Sequence, residues 1–347
     1  MINLDGSKKS GSGTILRYAL TISSLLQEDL RMTNIRANRA KPGLRPQHLA
    51  AAMACKDMSR GDISGASVGS KEILFKPGGH IREGRYSWDI GTAGSTTMLG
   101  MTVLPLAFFA RAESRFEISG GLFQDFAPSA HHMKSVLLPI LARMGLKARI
   151  EIIRPGYVPA GDGVLKVTAT PATRKIKPLR LFDQGKIIEI RGIALASHLR
   201  GQRVSERMAQ SCKKALEAEG YKPDIVILYD ESAKQPGAAL AIYARTNTGC
   251  IIGSDMAGKV GRSSEHIGEY VARNLLEDLR TGATVDRFLA DQIVIYSALA
   301  EGRSEYLVPS LTEHLSTNLW LVSEVLGARI QVNGHHILID GIGFERG

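Results

Sequence analysis

The chain has 347 residues, 44% of them hydrophobic and 22% charged, and its 44 Lys and Arg against 34 Asp and Glu leave a net charge of +10. At roughly 100–200 residues per domain that length predicts two domains. No apolar run reaches the ~18 residues of a membrane span, and the start, MINLDGSKKSGSG, lacks a signal peptide's apolar stretch.

Three scattered cysteines, Cys55, Cys212 and Cys250, give neither a disulfide framework nor zinc spacing, which predicts a reducing, cytoplasmic location. The positive charge favours polyanionic partners: RNA, DNA or nucleotides.

The first 150 residues repeat one pattern, an extended stretch, a glycine-rich turn and an apolar helix. The copies are INLDGSKKSGSGTILRYALTISSLL, YSWDIGTAGSTTMLGMTVLPLAFFA and the more divergent FEISGGLFQDFAPSAHHMKSVLLPILARMG. In the first copy Ile15, Leu16, Ala19, Leu20 and Ile22 form a core-facing helical stripe. The glycine loops at 4–17 and 91–97 each lead into a helix start, where exposed N–H groups and the helix dipole suit a phosphate. Each reads either as an anion site or as a plain tight turn, and the first is no Walker A loop because its lysines precede the last glycines. Between them, RANRAKPGLRPQH (36–48) crowds Arg36, Arg39, Lys41 and Arg45 together without an acid, a pattern suited to phosphate oxygens. Pro46 fits the first turn of a following helix that begins with Gln47 and His48.

From about 182 the pattern changes to strand, helix, strand, strand, helix, enough for a small α/β domain over 182–280. Ser205 is the expected cap of its first helix and Gly220 lies past that helix's end. Beyond Gly282, Asp286 is a natural N-cap for a helix through Phe288, Leu289, Gln292, Ile293 and Tyr296. The Asn-Gly of ARIQVNGHHILIDG predicts a closing hairpin. Residues 1–181 and 281–347 are therefore expected to form one large discontinuous domain around the insertion.

The histidines His80, His131, His132, His198, His266, His335 and His336 lack a partner at ligand spacing, so no zinc site is expected from them. His314 differs. It precedes an apolar helix expected to start at Ser316 or Thr317 and to stop at Gly327, and it reads either as a loop histidine beside a cap or as a nucleophile toward phosphorus.

Taken together, LDG…G.G.ILR (4–17), RANRAKPGLRPQH (36–48), GTAGSTT (91–97), PGYVPAGDG (155–163), FLADQ (288–292) and HLSTN (314–318), in this order and spacing, resemble the RNA 3'-terminal phosphate cyclase family over nearly the whole chain. The resemblance implies an α/β fold: a large domain of three repeated strand–helix modules like the C-terminal domain of a translation initiation factor, as in the cyclase and EPSP synthase-like folds, with a smaller α/β domain inserted. It implies ATP and an RNA 3'-phosphate as substrates, a divalent metal (Mg2+ or Mn2+) whose ligands it leaves open, and a 2',3'-cyclic phosphate as product. His314 falls on the family's adenylated histidine. Met101, Phe288, Leu289, Ala290, Asp291 and Gln292 fall at the nucleotide site, and Arg17, Arg36, Arg39, Gln47 and His48 on positions that hold phosphate or RNA. Two residues depart from the family. Ser10 stands where relatives carry a glutamate linked with metal, and Met101 where they carry a glutamine; Lys8 and Lys9 are candidates to replace the metal's charge. The competing readings are a non-catalytic relative that binds RNA or assists ribosome assembly, and a nucleotidyltransferase acting on other phosphate-ended polynucleotides.

Overall fold

In the computed structural model, which describes residues 1–345, the chain builds four four-stranded sheets, three of them to one plan. The first module runs β1 (Ile2–Asp5), α1 (Gly13–Leu26), β2 (Leu30–Thr33), α2 (Pro46–Ser59), β3 (Asp62–Ser64) and β4 (Ile73–Lys76). The second runs β5 (Arg85–Asp89), α3 (Thr96–Phe108), β6 (Ser114–Gly120), α4 (Ala130–His132), a π-helical turn (Met133–Leu137), α5 (Leu138–Arg143), β7 (Lys147–Arg154) and β8 (Gly163–Thr170). Their orders, β1-β2-β4-β3 and β5-β6-β8-β7, are equivalent. The first two strands pair in parallel and the rest antiparallel.

The third module opens with β9 (Arg180–Leu181) and is then interrupted. The interrupting segment carries β10 (Ile187–Ser197), α6 (Val204–Glu217), β11 (Pro223–Asp230), β12 (Gly237–Thr246), β13 (Ile251–Ala257) and α7 (Ser264–Arg280), and its sheet has the different order β11-β10-β12-β13. The module resumes with α8 (Leu289–Gln292), α9 (Val294–Leu299), β14 (Glu301–Leu307), α10 (Glu313–Leu326), β15 (Arg329–Asn333) and β16 (His336–Ile342), and β9-β14-β16-β15 repeats the plan of the first two. Two apolar cores follow from this layout. One joins the three modules, and the other lies under α6 and α7.

Three expectations are corrected. The stretch from Phe116 is the second half of the second module, since β6 pairs with β5 in the same sheet. Ser205 does not cap α6: its hydroxyl donates to Leu228 O at 2.9 Å, and the helix begins after Arg203, in the left-handed region. The last long helix starts earlier than expected, with Thr312 as N-cap accepting from Leu315 N–H at 3.1 Å. Gly327 ends it in the left-handed conformation that suits glycine. No helix among the described residues is long and apolar enough to cross a membrane.

Candidate active site

The polar helix starts of the first and third modules meet. Thr14 Oγ1 donates to Asn318 Oδ1 at 2.8 Å, and Ser10 N–H to Thr317 Oγ1 at 3.2 Å, which stitches the start of α1 to α10. The hydroxyl of Tyr18 and the amide of Asn318 both donate to Asp291 O, at 2.7 and 3.1 Å, drawing in α8. Beside this junction opens a cavity of about 1060 Å3.

His314 stands in the first turn of α10, solvent-accessible at this cavity. Partial burial and the nearby Arg17 and Arg39 hold its pKa below the usual 6.5, so its imidazole is neutral at pH 7. Arg17, Arg36, Arg39, Gln47 and His48 all line the same space, as do Met101, Phe288, Asp291 and Gln292. Leu289 and Ala290 do not: both are fully buried in the core, so side-chain contact with a nucleotide is not available to them. Of the four cations expected at 36–45, Lys41 and Arg45 also stay out. Arg36 doubles as a staple for its own loop, donating to Lys41 O and Gly43 O at 2.7 and 2.8 Å.

His48 is buried, and desolvation together with Arg17, Arg36 and Arg45 pushes its pKa down to about 2. Its Nδ1 accepts from Arg45 N–H at 3.3 Å, so the proton sits on Nε2. That nitrogen packs on Gly13: a Cβ there would lie 2.1 Å from His48 Nε2 and 3.1 Å from Arg17 Nη1. Gln47 Oε1 accepts from Ser95 N–H at 3.1 Å and so fixes the start of α3 against α2. The loop before α3 is held from outside by 155–163, where a Cβ at Gly161 would meet Thr92 O at 2.7 Å.

Toward α8 the cavity is less polar and less satisfied. Gln292 is 9% exposed and neither amide atom has a partner. The Tyr296 hydroxyl, in the same wall, is also unpaired. Burial pushes Asp291 up to about 7 and Arg17 down to about 10; desolvation outweighs their mutual attraction in both. Unpaired donors and acceptors beside Met98, Met101 and Phe288 suit a flat heterocycle with ring nitrogens. The arginines opposite suit its phosphates.

A divalent cation here would draw most of its ligands from phosphate oxygens and water. Among the described residues no group of three His, Cys, Asp or Glu side chains is placed to bind one. Ser10 is buried outside the cavity, its hydroxyl 2.9 Å from that of Ser12. Lys8 and Lys9 are exposed away from it, with Lys8 Nζ 5.8 Å from the ring centre of Trp320.

Sequence reasoning missed the wall supplied by the interrupting segment. Arg262 makes a bidentate ion pair with Asp125, at 2.8 and 2.9 Å, across the cavity's edge, with Lys259 3.6 Å from the same carboxylate. Asp255 accepts from Ser129 N–H at 2.8 Å. No local signal marks these residues, which meet only through the tertiary fold. His132 also has a partner that spacing did not reveal, since its Nε2 lies 3.2 Å from Asp286 Oδ2, both fully buried.

The RNA 3'-terminal phosphate cyclase family model matches residues 8–332. A protein from Caldivirga maquilingensis named RNA 3'-terminal phosphate cyclase is 39% identical over 341 residues, 97% of this chain and 96% of the relative. Proteins of the same name from Pyrobaculum aerophilum and Pyrococcus furiosus are 34% and 35% identical, covering 99% and 96% of both chains. The chain belongs to the RNA 3'-terminal phosphate cyclase family. Among solved structures, the enolpyruvyl transferase NikO from Streptomyces tendae is 10% identical with a TM-score of 0.27, over 98% of this chain and 82% of that one, a likeness too slight to bear on function.

Proposed function

We propose that this chain converts an RNA 3'-terminal phosphate into a 2',3'-cyclic phosphodiester at the expense of ATP, with His314 as the nucleophile. The observation that carries this reading is the placement of His314, accessible and neutral beside Arg17 and Arg39, in one cavity with the unpartnered amide of Gln292.

The imidazole nitrogen attacks the α-phosphorus of ATP, forming an N–P bond as the bond to the β-phosphate oxygen breaks and pyrophosphate leaves. An oxygen of the RNA 3'-phosphate then attacks the same phosphorus, the N–P bond breaks and AMP passes to the RNA. Finally the neighbouring 2'-hydroxyl attacks the activated 3'-phosphorus, loses its proton and expels AMP. Each step brings anions together, so the work of Arg17, Arg36 and Arg39 is neutralisation and alignment. Ring closure is intramolecular and gains a large effective molarity. His48, neutral with its proton on Nε2, supplies a hydrogen bond without adding charge.

The test is to incubate the protein and ATP with two oligonucleotides that differ only at the last sugar, ribose or 2'-deoxyribose, each bearing a 3'-phosphate. The reading predicts a phosphatase-resistant cyclic end on the ribose substrate and a stalled adenylate on the deoxy substrate. No ATP-dependent change in either overturns it in favour of a binding protein. Adenylation of a 5'-phosphate end in preference to both favours a different nucleotidyltransferase.

A further inference from the structure

α2 is half-buried at Gln47, Ala50, Met53 and Lys56 and exposed at Asp57 and Arg60, an accessible stripe that steps mostly by three and so winds part-way around the helix. Its first member, Gln47, lines the cavity of His314. Its last members, Asp57 and Arg60, line a second cavity of about 530 Å3. The helix has 14 residues, so the two cavities lie about 20 Å apart along it at ~1.5 Å per residue.

The second cavity gathers Arg60, Arg82, Arg85 and Arg111 with His80, facing the acids Asp57 and Glu83. The loop that forms it is fixed. Arg82 N–H donates to Met58 O at 2.8 Å, the Tyr86 hydroxyl donates to Arg82 O at 2.9 Å, and a Cβ at Gly78 would lie 2.3 Å from Ser59 O, an approach only glycine permits. Asp57 is engaged by the Trp88 indole N–H at 2.9 Å. The arginines, in contrast, have spare capacity. Among the described residues none of the four guanidinium groups is paired by a hydrogen bond or ion pair, and Arg82 Nε is buried without a partner. A buried charged donor left unpaired is costly, and a phosphate oxygen relieves it.

We propose that this arginine pocket is a phosphate-binding site for the backbone of the RNA strand whose 3' end lies at His314. The proposal rests on the functional reading above. The winding stripe of α2, half-buried and apolar at Ala50 and Met53 and cationic at Lys56, leads from one cavity to the other. At ~3.4 Å per nucleotide of a stacked strand, about 20 Å corresponds to roughly six nucleotides. Contacts of this kind hold a strand without reading its sequence.

The experiment compares 3'-phosphorylated RNAs of three and twelve nucleotides on wild-type protein and on an Arg85→Glu, Arg111→Glu double variant, both exposed positions. The fold is checked by thermal melting, and self-adenylation with ATP is measured without RNA. The proposal predicts a KM for the twelve-mer raised at least tenfold, toward that of the three-mer. The three-mer's KM, kcat and self-adenylation stay unchanged, and the slope of log KM against log salt falls by about 1.4, at ~0.7 for each of two single-strand phosphate contacts. An unchanged twelve-mer, an equal effect on both lengths, or altered self-adenylation overturns it. Should the wild type fail to adenylate at all, the functional reading falls on its own. Fluorescence anisotropy of the twelve-mer then still decides the pocket: equal affinity of wild type and variant overturns it.

Discussion

Gln292 shows what a single side chain discloses about this site. A buried amide with no protein partner costs about 1–3 kcal/mol unless water or a ligand fills its bonds, and at Gln292 the open cavity offers room for one. We predict that Gln292→Leu raises the stability of the ligand-free protein by about 1 kcal/mol and raises the KM for ATP at least tenfold; thermal melting and ATP titration check the two effects. Unchanged KM with lowered stability would return Gln292 to a packing role. At this scale the sequence was informative wherever chemistry needs a particular side chain in a particular order: His314, Arg17, Arg36, Arg39, Gln47, His48, Phe288, Asp291 and Gln292 reach one cavity. Leu289 and Ala290 share the FLADQ motif with three of these but turn into the core, because successive residues of a helical turn cannot all face one wall. Lys8 and Lys9, the candidates to replace a metal's charge, are carried outward by the loop before α1 begins and do not line the cavity.

At the scale of elements, helix starts do the positioning, and glycine sets how close they come. Gly13 begins α1 against His48 Nε2, where a methyl group has no room. Gly13→Ala is predicted to cost about 1–3 kcal/mol through overpacking and to lower self-adenylation more than tenfold by moving Arg17 and His48. Melting and single-turnover adenylation measure both, and a variant as active and as stable as wild type would show that this contact yields freely. The start of α10 was misread from the sequence for an instructive reason. Apolar periodicity locates the face that packs, and here the first turn, with Glu313, His314 and Ser316 exposed, faces solvent and the cavity rather than the core. The pattern therefore begins one turn late, and Ser316 or Thr317 looks like the cap that Thr312 provides. The repeat was legible as strand–turn–helix, but which halves share a sheet depends on long-range pairing, so the stretch from Phe116 looked like a module of its own.

Across the whole molecule, one buried ion pair ties three parts of the chain together. Asp286 accepts from Gly253 N–H of β13 at 2.8 Å and from Phe288 and Leu289 N–H at 2.8 and 2.7 Å, and it faces His132 of α4. The cap at Asp286 was legible; the histidine and the strand that share it were not, since they lie 154 and 33 residues away. Burial opposes both charges, but the mutual attraction prevails, raising His132 above 6.5 and lowering Asp286 below 3.8. The histidine's contribution is complete below pH 6.5 and is lost as pH rises through its raised pKa. The aspartate's is complete above pH 3.8 and is lost as pH falls through its depressed one. Breaking one side of such a pair costs about 3–5 kcal/mol. Asp286→Asn should therefore destabilise the protein by about that amount between pH 4 and 6.5, the difference from wild type shrinking as pH rises through the raised pKa of His132. Denaturant melts at several pH values measure this, and a pH-independent difference would contradict a charged pair.

The proposed chemistry depends on His314 capturing adenylate. Incubation with ATP labelled at the α-phosphate, followed by peptide mapping, tests that directly. The expected result is an acid-labile, alkali-stable AMP adduct on the peptide containing His314, formed without RNA, discharged when 3'-phosphorylated RNA is added, and absent from His314→Ala. Label that persists in His314→Ala, or that never forms on wild-type protein able to bind ATP, would contradict it.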